Sequence, residues 1–203
     1  MLKKAKESGL LQFFLTDVRD FAEGRFKKVD DRPYGGGPGM VLMPQPLTKA
    51  IRSVKTDDSH VIYLSPQGKT LSAETCQRLA NKRHIVLVCG HYEGIDERVI
   101  ENEVDEEISI GDYVLTNGCI AAIVLIDAVA RFIPGVLGNQ DAAYQDSFQG
   151  KILDAPHYTR PLEFEGHDVP SVLISGNHEE IRKWRHQKAI EKTMRVRPDL
   201  IRR

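Results

Sequence analysis

The chain has 203 residues, of which 41% are hydrophobic and 28% charged, and its formal net charge at pH 7 is −1. A chain of this length can bury a sizeable core, as one large domain or two small ones. The nearly neutral balance excludes a polycation, so any nucleic-acid site must be a local basic patch. No apolar run approaches the roughly 18 residues that span a bilayer, and the N-terminus lacks the apolar core of a signal peptide. We therefore expect a cytoplasmic protein without a membrane span.

The chain has three cysteines, Cys76, Cys89 and Cys119, which are far apart in the sequence. They are too few and too scattered for a disulfide framework or for a zinc site made of cysteines. Disulfides are rare in the reducing compartments where thiols persist. We expect all three to serve as small buried residues.

The first part of the chain contains short apolar runs rich in strand-forming residues. They lie at 11–15, 61–65 and 84–89, and their length and composition predict strands. Between the last two, a helix-like segment begins after Ser72 and continues to Asn81, because serine is a favoured N-cap residue.

The same alternation continues after Gly94. Residues 95–103 are helix-like and residues 106–110 are strand-like. Residues 119–133 are almost wholly apolar and too long for a strand, so they are interpreted as a core helix. Alternation of this kind predicts an α/β fold with a mostly parallel sheet and flanking helices.

The composition changes beyond that apolar helix. Residues 137–150 are small and polar with little periodicity, which is typical of a linker or a mobile loop. A strand-like run at 172–175 then leads to a helix that Asn177 caps, with Glu180 placed as in a capping box. This last helix is basic, whereas acidic residues concentrate at 101–112. We predict two domains, at 1–138 and 151–203, joined by a linker at 139–150.

Four glycines within five residues mark the segment from Arg32 to Met40. Such a loop lets a ligand approach the backbone closely. It is not a phosphate-binding loop, because no Gly-Lys-Ser/Thr follows, and Pro38 stands where a dinucleotide fingerprint would begin its helix. The sequence has no other unit typical of a dinucleotide-dependent oxidoreductase. Taken alone, the segment is better interpreted as a structural turn.

Three glycine-containing segments, at 64–68, 89–96 and 109–115, follow strand-like runs. In open α/β sheets ligands bind outside the carboxyl ends of the strands. Glycines there let backbone amides and carbonyls meet a ligand without charged side chains. Any one segment could be an ordinary turn, but three in one small domain predict a site for a nucleoside-like ligand.

Two polar residues stand on either side of the domain boundary. Arg131 lies near the end of the apolar helix and Asp146 lies in the loop that follows. A carboxylate is an adequate general base when a nearby cation stabilises the charge that develops. The sequence leaves an alternative open for each residue. Asp146 could be a solvated loop carboxylate, and Arg131 could be a cation that complements the helix dipole.

Three histidines, His91, His157 and His178, are candidate site residues, but none belongs to a recognisable pattern. His91, Glu93 and Asp96 cluster, but their spacing does not match a strong metal-ligand pattern. His157 and His178 have no identifiable triad partner, so we interpret them as structural or RNA-facing.

Eight sequence blocks occur in a fixed order from about residue 9 onward. They are VDDRPYGGGPGM from Val29, YLSPQG from Tyr63, CGHYEGIDER from Cys89, SIGDYVLTNG from Ser109, ARFIPGVLG from Ala130, DSF from Asp146, LDAPHYTRP from Leu153 and LISGNHEEIRKWR from Leu173. Together they resemble the bacterial tRNA (guanine-N1)-methyltransferases of the SPOUT superfamily, which methylate the guanosine immediately 3′ of the anticodon.

The resemblance implies an α/β domain with a trefoil knot that binds S-adenosylmethionine, at 1–138, and a small helical tRNA-binding domain at 151–203. It implies a homodimer whose active sites are shared between subunits. Asp146 then corresponds to the general base and Arg131 to its partner, and magnesium is expected, with Glu93 as a contributing carboxylate. The implied cofactor-binding residues are Tyr63, Leu64, Ser65, Pro66, Gln67, Gly90, Tyr92, Glu93, Ile110, Gly111, Asp112, Tyr113, Val114, Leu115 and Gly118.

The sequence departs from the family pattern in two places. Met1–Gly9 looks like the tail of the family's first helix, so we expect the first strand and most of that helix to be missing. Residues 117–121 read Asn-Gly-Cys-Ile-Ala where the family commonly has Gly-Gly-Glu-Leu-Pro. Asparagine tolerates a left-handed backbone almost as glycine does, whereas Cys119 and Ala121 are expected to alter the rigidity of the loop. The alternative function is a catalytically impaired protein that binds RNA and S-adenosylmethionine.

Overall fold

The computed structural model describes residues 1–139 and 142–201. Its helices are α1 (Leu2–Glu7), α2 (Pro44–Val54), α3 (Ala73–Ala80), α4 (Glu97–Glu103), α5 (Gly118–Ala130), α6 (Ala142–Gln145), α7 (Ser171–Ile174) and α8 (His178–Val196). Its strands are β1 (Asp30–Asp31), β2 (Val41–Leu42), β3 (Ser59–Thr70), β4 (His84–Cys89), β5 (Glu106–Ser109), β6 (Glu163–Phe164) and β7 (His167–Asp168). Short 3₁₀ turns lie at Val18–Phe21, Gln149–Lys151 and Pro198–Leu200.

The main sheet has three parallel strands in the order β4-β3-β5. Tyr63 of β3 stands opposite Val88 on one side and Glu107 on the other. Two-stranded antiparallel ribbons, β1-β2 and β6-β7, lie outside this sheet. The predicted α/β class with a mostly parallel sheet and flanking helices is confirmed.

Helices cover both faces of the sheet. Successive side chains of the central strand point to opposite sides, so each face carries apolar side chains that a pair of helices buries. Val61 and Tyr63 pack in one apolar cluster, together with residues of α2 and α4. Ile62 and Leu64 pack in another, with residues of α3 and α5. A strand that is buried on both faces reads as a continuous apolar run, which is why this segment was recognisable in the sequence.

The predicted helix starts are confirmed by side-chain caps. The Ser72 hydroxyl accepts a hydrogen bond from the Thr75 N–H at 3.2 Å, at the start of α3. Asn177 caps α8 through the N–H groups of Glu179 and Glu180. The reciprocal half of the capping box is replaced by Ser175, whose hydroxyl accepts from the Asn177 N–H at 3.1 Å.

Two predicted strands are wrong. Residues 11–15 have no regular secondary structure, and Leu15 is fully exposed. Within the described part of the chain no strand pairs with them, so their strand propensity has no ladder to join. Residues 172–175 belong instead to α7 and its C-cap. This helix begins directly after Pro170, because the fixed φ of proline suits the entry to a helix.

The expectation for the cysteines is only partly met. Cys76 is buried in α3, Cys89 is partly buried and Cys119 is exposed. Cys119 lies in the first turn of α5, whose apolar sequence predicted burial on all sides. One face of α5 is nevertheless open to solvent, at Ile120, Ile123 and Val124.

The chain divides into two compact units, Met1–Gly138 and Asn139–Arg203. The first unit holds the three-stranded sheet and α1 to α5. In the second, the buried Thr193 of α8 accepts a hydrogen bond from the Leu153 N–H at 2.9 Å and donates one to the Ala189 carbonyl. Among residues 1–139 and 142–201, no helix has the length and apolar character needed to cross a membrane.

Candidate cofactor and RNA sites

The first predicted cofactor loop is a bulge within β3 rather than a loop at its end. Leu64 and Lys69 both stand opposite Ile108 of β5, so residues 65–68 bulge out between them. The Ser65 hydroxyl is buried and accepts the Gln67 N–H at 3.1 Å. This hydrogen bond holds the bulge in place at the edge where β5 ends.

The second loop lies over the side chain of Tyr63. A Cβ atom added to Gly90 would lie 3.0 Å from the Tyr63 hydroxyl oxygen, and one added to Gly94 would lie 3.2 Å from it. Burial raises the pKa of the Tyr63 phenol, and the charges of Glu107 and Glu97 raise it further. The Tyr63 side chain is therefore a neutral phenol, and the glycine backbone of the second loop packs directly against it.

The start of α5 joins the second loop directly. The Gly118 N–H donates to the Gly90 carbonyl at 2.8 Å, and His91 forms an isolated antiparallel bridge with Asn117. Strand β3 separates β4 from β5 in the sheet. The chain that leaves β5 must therefore cross the end of β3 to reach the loop after β4.

Asn117 has a different role from the one its sequence position suggested. Its backbone is extended, with φ −159° and ψ 165°, rather than left-handed. Its side-chain oxygen caps α5 by accepting the Cys119 N–H at 2.9 Å. The left-handed backbone that asparagine tolerates is not used at this residue, and the asparagine stabilises the helix start instead.

The third loop folds back on its own backbone. The Ser109 hydroxyl donates to the Gly111 carbonyl at 2.9 Å and accepts its N–H at 3.1 Å. The Tyr113 ring lies against Gly111 and its hydroxyl donates to the Ile110 carbonyl. Val114 beside it is 81% exposed, so this loop presents apolar surface to solvent. Exposed apolar side chains that border bare peptide suit a ligand with an aromatic base.

The structure thus brings part of the predicted cofactor set together. Contacts join Tyr63, Gly90 and Gly118 across three segments of the chain. The other predicted residues fall into three groups: Leu64, Ser65 and the half-buried Ile110, Gly111 and Leu115; the exposed bulge residues Pro66 and Gln67; and the exposed loop residues Tyr92, Glu93, Asp112, Tyr113 and Val114.

The glycine cluster at 35–39 contacts the second loop, although its sequence alone favoured a structural turn. Gly39 has a φ of +81°, and a Cβ atom there would overlap the Glu93 side chain. The Glu93 N–H also donates to the Met40 carbonyl at 3.1 Å. The segment 35–40 therefore borders the second loop.

The described residues, 1–139 and 142–201, contain no group of three or more His, Cys, Asp or Glu side chains that could hold a metal ion. Asp96 instead caps α4 and pairs with Arg98 at 2.8 Å, which keeps the pKa of its carboxyl below the ordinary value. The role of Glu93 as a magnesium ligand stays a prediction.

The predicted catalytic pair is divided between the two units. Arg131 is half-buried at the C-terminal end of α5, in the first unit. Asp146 is exposed and follows α6 in the second unit, where its carbonyl accepts the Gln149 N–H. Their roles stay predictions.

The second unit contains a cavity of about 340 Å³ whose lining is half apolar and also includes two arginines, a histidine and a tyrosine. His157 on its wall pairs with Asp154 at 2.9 Å. The Tyr158 ring lies 6.2 Å from the ring of Trp184 on α8. The lining residues are Pro156, His157, Tyr158, Thr159, Arg160, Leu162, Val169, Leu173, Ile174 and Arg185.

Comparison with known proteins identifies the family. A family model described as "tRNA (Guanine-1)-methyltransferase TrmD" matches residues 1–203. A protein of Protochlamydia amoebophila named tRNA (guanine-N(1)-)-methyltransferase is 67% identical over 201 residues, which is 99% of this chain and 90% of that protein. Proteins of the same name from Chlamydia pneumoniae and Chlamydia trachomatis serovar D are 59% and 56% identical over 98% of this chain. The chain spans 55% and 56% of those two relatives, about half their length. The chain therefore belongs to the tRNA (guanine-1)-methyltransferase family of enzymes.

Proposed function

We propose that the chain transfers the methyl group of S-adenosylmethionine to N1 of a guanine in tRNA, at the position 3′ of the anticodon. Family membership supports the reaction class. The observation that carries the proposal is the junction of Gly90 with Gly118 above the Tyr63 side chain. It forms a cradle of bare peptide at the carboxyl edge of a parallel sheet, where nucleoside ligands bind.

S-adenosylmethionine is proposed to bind in this cradle. Backbone groups of the second and third loops would read the adenine edge, and the exposed side chains of Tyr113 and Val114 would cover the base. The cofactor supplies a methyl group that its sulfonium sulfur has already activated. The chain's own contribution is therefore to bind, orient and exclude water, for which in-line positioning provides much of the rate.

Asp146 and Arg131 are proposed to act on the guanine. N1 of guanine carries a proton and is a poor nucleophile until that proton leaves. The Asp146 carboxylate would take the N1 proton as general base, while the Arg131 guanidinium would stabilise the negative charge that develops on O6. Together these two residues would meet both requirements of the reaction.

A trefoil knot in the first unit is part of the proposal. The supporting observation is the return of the chain from β5 across the end of β3 to Gly90, where Gly118 makes its 2.8 Å hydrogen bond. The general expectation for proteins is strongly against knots. The knot therefore rests mainly on membership of the family.

A homodimer is proposed for the first unit, through the exposed face of α5. Ile120, Ile123 and Val124 are 51%, 62% and 43% exposed on one side of a helix with an almost wholly apolar sequence. A helix that is apolar on all sides is normally buried. A second copy of the chain would bury this face and would let two subunits build each active site.

Ile123→Glu tests this dimer. A carboxylate buried in the interface without a partner should weaken dimerisation by about 100-fold, the equivalent of roughly 3 kcal/mol. Sedimentation velocity should then show monomers at concentrations where the wild type is dimeric. Val196→Glu, at an exposed apolar residue of α8, should stay dimeric. A wild type that is monomeric at micromolar concentration would contradict the proposal.

The second unit is proposed as the tRNA-binding domain. Arg160 and Arg185 line its cavity beside Tyr158 and His157, and α8 carries further Lys and Arg residues. Guanidinium groups bind phosphates, and aromatic rings stack on unpaired bases. An anticodon loop offers both.

Arg185→Ala tests the role of the cavity. Loss of one phosphate contact should weaken tRNA binding and should reduce the slope of log K against log salt by about 1. Affinity for S-adenosylmethionine should not change. The control is Arg182→Ala, on the same helix but outside the cavity lining. Equal losses in both variants would show that only the overall charge of α8 matters.

The remaining elements of the proposal are location and metal. We propose a cytoplasmic location, where tRNA is modified. Magnesium usually binds through one or two carboxylates together with groups of the substrate and several waters. Glu93 is proposed as that carboxylate, and no step of the reaction is assigned to the metal.

The function is tested by incubating the chain with labelled S-adenosylmethionine and an unmodified tRNA that has guanine 3′ of the anticodon. We expect label in 1-methylguanosine at that position, and none when adenine replaces the guanine. Binding of the cofactor without any methyl transfer would favour the alternative, an impaired protein that binds RNA and S-adenosylmethionine.

A further inference from the structure

Two cysteines meet where the second loop joins α5. Cys89 is the last residue of β4, opposite Leu64, and Cys119 is the second residue of α5. The residues beside them, Gly90 and Gly118, are joined by the 2.8 Å hydrogen bond described above. A Cβ atom added to Gly118 would lie only 2.9 Å from Cα of Cys89.

This geometry brings the backbones of the two cysteines close together. Gly118 lies against the backbone of Cys89. Cys119 is the next residue, and consecutive Cα atoms are about 3.8 Å apart. Disulfides join Cα atoms that are about 4.4 to 6.8 Å apart. The neighbouring Cys119 thiol raises the pKa of the Cys89 thiol, as expected for two side chains that lie side by side.

The two thiols differ in their access to solvent. Cys119 is exposed, whereas Cys89 is partly buried. Burial raises the pKa of the Cys89 thiol to about 12, with a further contribution from Cys119. An oxidant from solvent therefore meets Cys119 first, and Cys89 is placed to react with the product. The third cysteine, Cys76, is buried in α3.

We propose that Cys89 and Cys119 form a reversible disulfide when the protein meets a hydroperoxide. The Cys119 sulfur attacks the peroxide oxygen, which gives a sulfenic acid and releases water or an alcohol. The Cys89 sulfur then attacks the Cys119 sulfur, and the hydroxide that leaves takes up the Cys89 proton as water. The two thiols lose two electrons and the peroxide gains them. A dithiol reductant reverses the bond.

The disulfide would tie the end of β4 to the first turn of α5. Closing the bond would draw Cys119 toward Cys89 and strain the first turn of α5, where the Cys119 N–H donates to the Asn117 side chain. Because both loops belong to the proposed cofactor cradle, we expect oxidation to weaken binding of S-adenosylmethionine. This consequence, unlike the disulfide itself, rests on the proposed function.

The test is mass spectrometry of the whole chain after mild treatment with hydrogen peroxide. We expect a loss of two hydrogen masses, and one reactive thiol instead of the three free cysteines. Arg98 separates the two cysteines in the sequence, so trypsin should yield two peptides joined by the bond. Cys119→Ser should abolish the link and Cys76→Ala should retain it. Sulfinic acid at Cys119 without any link, or links only between two copies, would overturn the proposal.

Cofactor binding is measured separately on the same samples by calorimetry. Weaker binding after oxidation, restored by dithiothreitol, supports a role for the disulfide in controlling the cradle. Unchanged binding in a sample that is fully linked overturns that role. Absence of binding even in the reduced protein counts against the proposed function, whereas the disulfide is judged from the masses alone.

Discussion

Asp146→Asn is expected to lower kcat for methyl transfer by at least about 100-fold, the lower end of what a general base contributes. The amide has nearly the shape of the carboxylate but cannot take the N1 proton. Asp146 is exposed beyond the end of α6, so the fold should tolerate the change. Single-turnover kinetics with saturating tRNA and S-adenosylmethionine isolate the chemical step.

The matched control for this prediction is Asp168→Asn. Asp168 is an exposed carboxylate of the second unit, in β7, and its loss removes the same charge. Affinities for cofactor and tRNA should change little in either variant. A similar fall in both would point to an electrostatic effect on tRNA binding. Equal single-turnover rates for wild type and Asp146→Asn would remove Asp146 as the general base.

Arg131→Gln is the companion to this variant, because the base and the cation are proposed to act in one step. Residues that act as a unit give losses that do not add. The double variant should therefore be little slower than Asp146→Asn alone. Fully multiplicative losses would instead show that Arg131 acts independently of the proton transfer, for example in holding the tRNA.

The sheet could be predicted because each strand and helix is marked by residues within its own segment of the sequence. The strands at 61–65, which is buried, and at 84–89, which is half-buried, place apolar side chains on both faces of the sheet. Helix α3 carries its own cap at Ser72. Residues 11–15 have the same local character but no pairing partner in the described residues. Strand formation there depends on a neighbouring strand, which no local pattern encodes.

The sequence predicted that three loops form one ligand site, but it did not predict the contacts that join them. Glycines marked the second and third loops, yet nothing local indicates that Gly118 would donate to Gly90 across the end of β3. The bulge after Leu64 depends on register with Ile108 of another strand. The link between Gly39 and Glu93 is likewise a long-range contact. Such features follow from topology, and a motif reveals them only when a known family supplies the topology.

Gly118→Ala should weaken binding of S-adenosylmethionine by at least about tenfold and should lower stability by about 1–3 kcal/mol, the usual cost of overpacking a tight site. The added Cβ would lie 2.9 Å from Cα of Cys89 and 3.0 Å from N of Gly90. These are backbone atoms that cannot move aside as a flexible side chain can. Relief of the clash must separate α5 from the second loop and stretch the 2.8 Å hydrogen bond to the Gly90 carbonyl.

Helix propensity makes the opposite prediction for this variant, so the sign of the result is informative. Alanine is favoured over glycine within a helix by up to about 1 kcal/mol, and Gly118 is the first residue of α5. The clash should win, because its cost exceeds that gain. Gly138→Ala is the control, since a Cβ atom there meets nothing within 4 Å. Thermal unfolding and calorimetry, the latter well below Tm, measure the two effects. A raised Tm with unchanged cofactor affinity would show that the loops do not form the cradle.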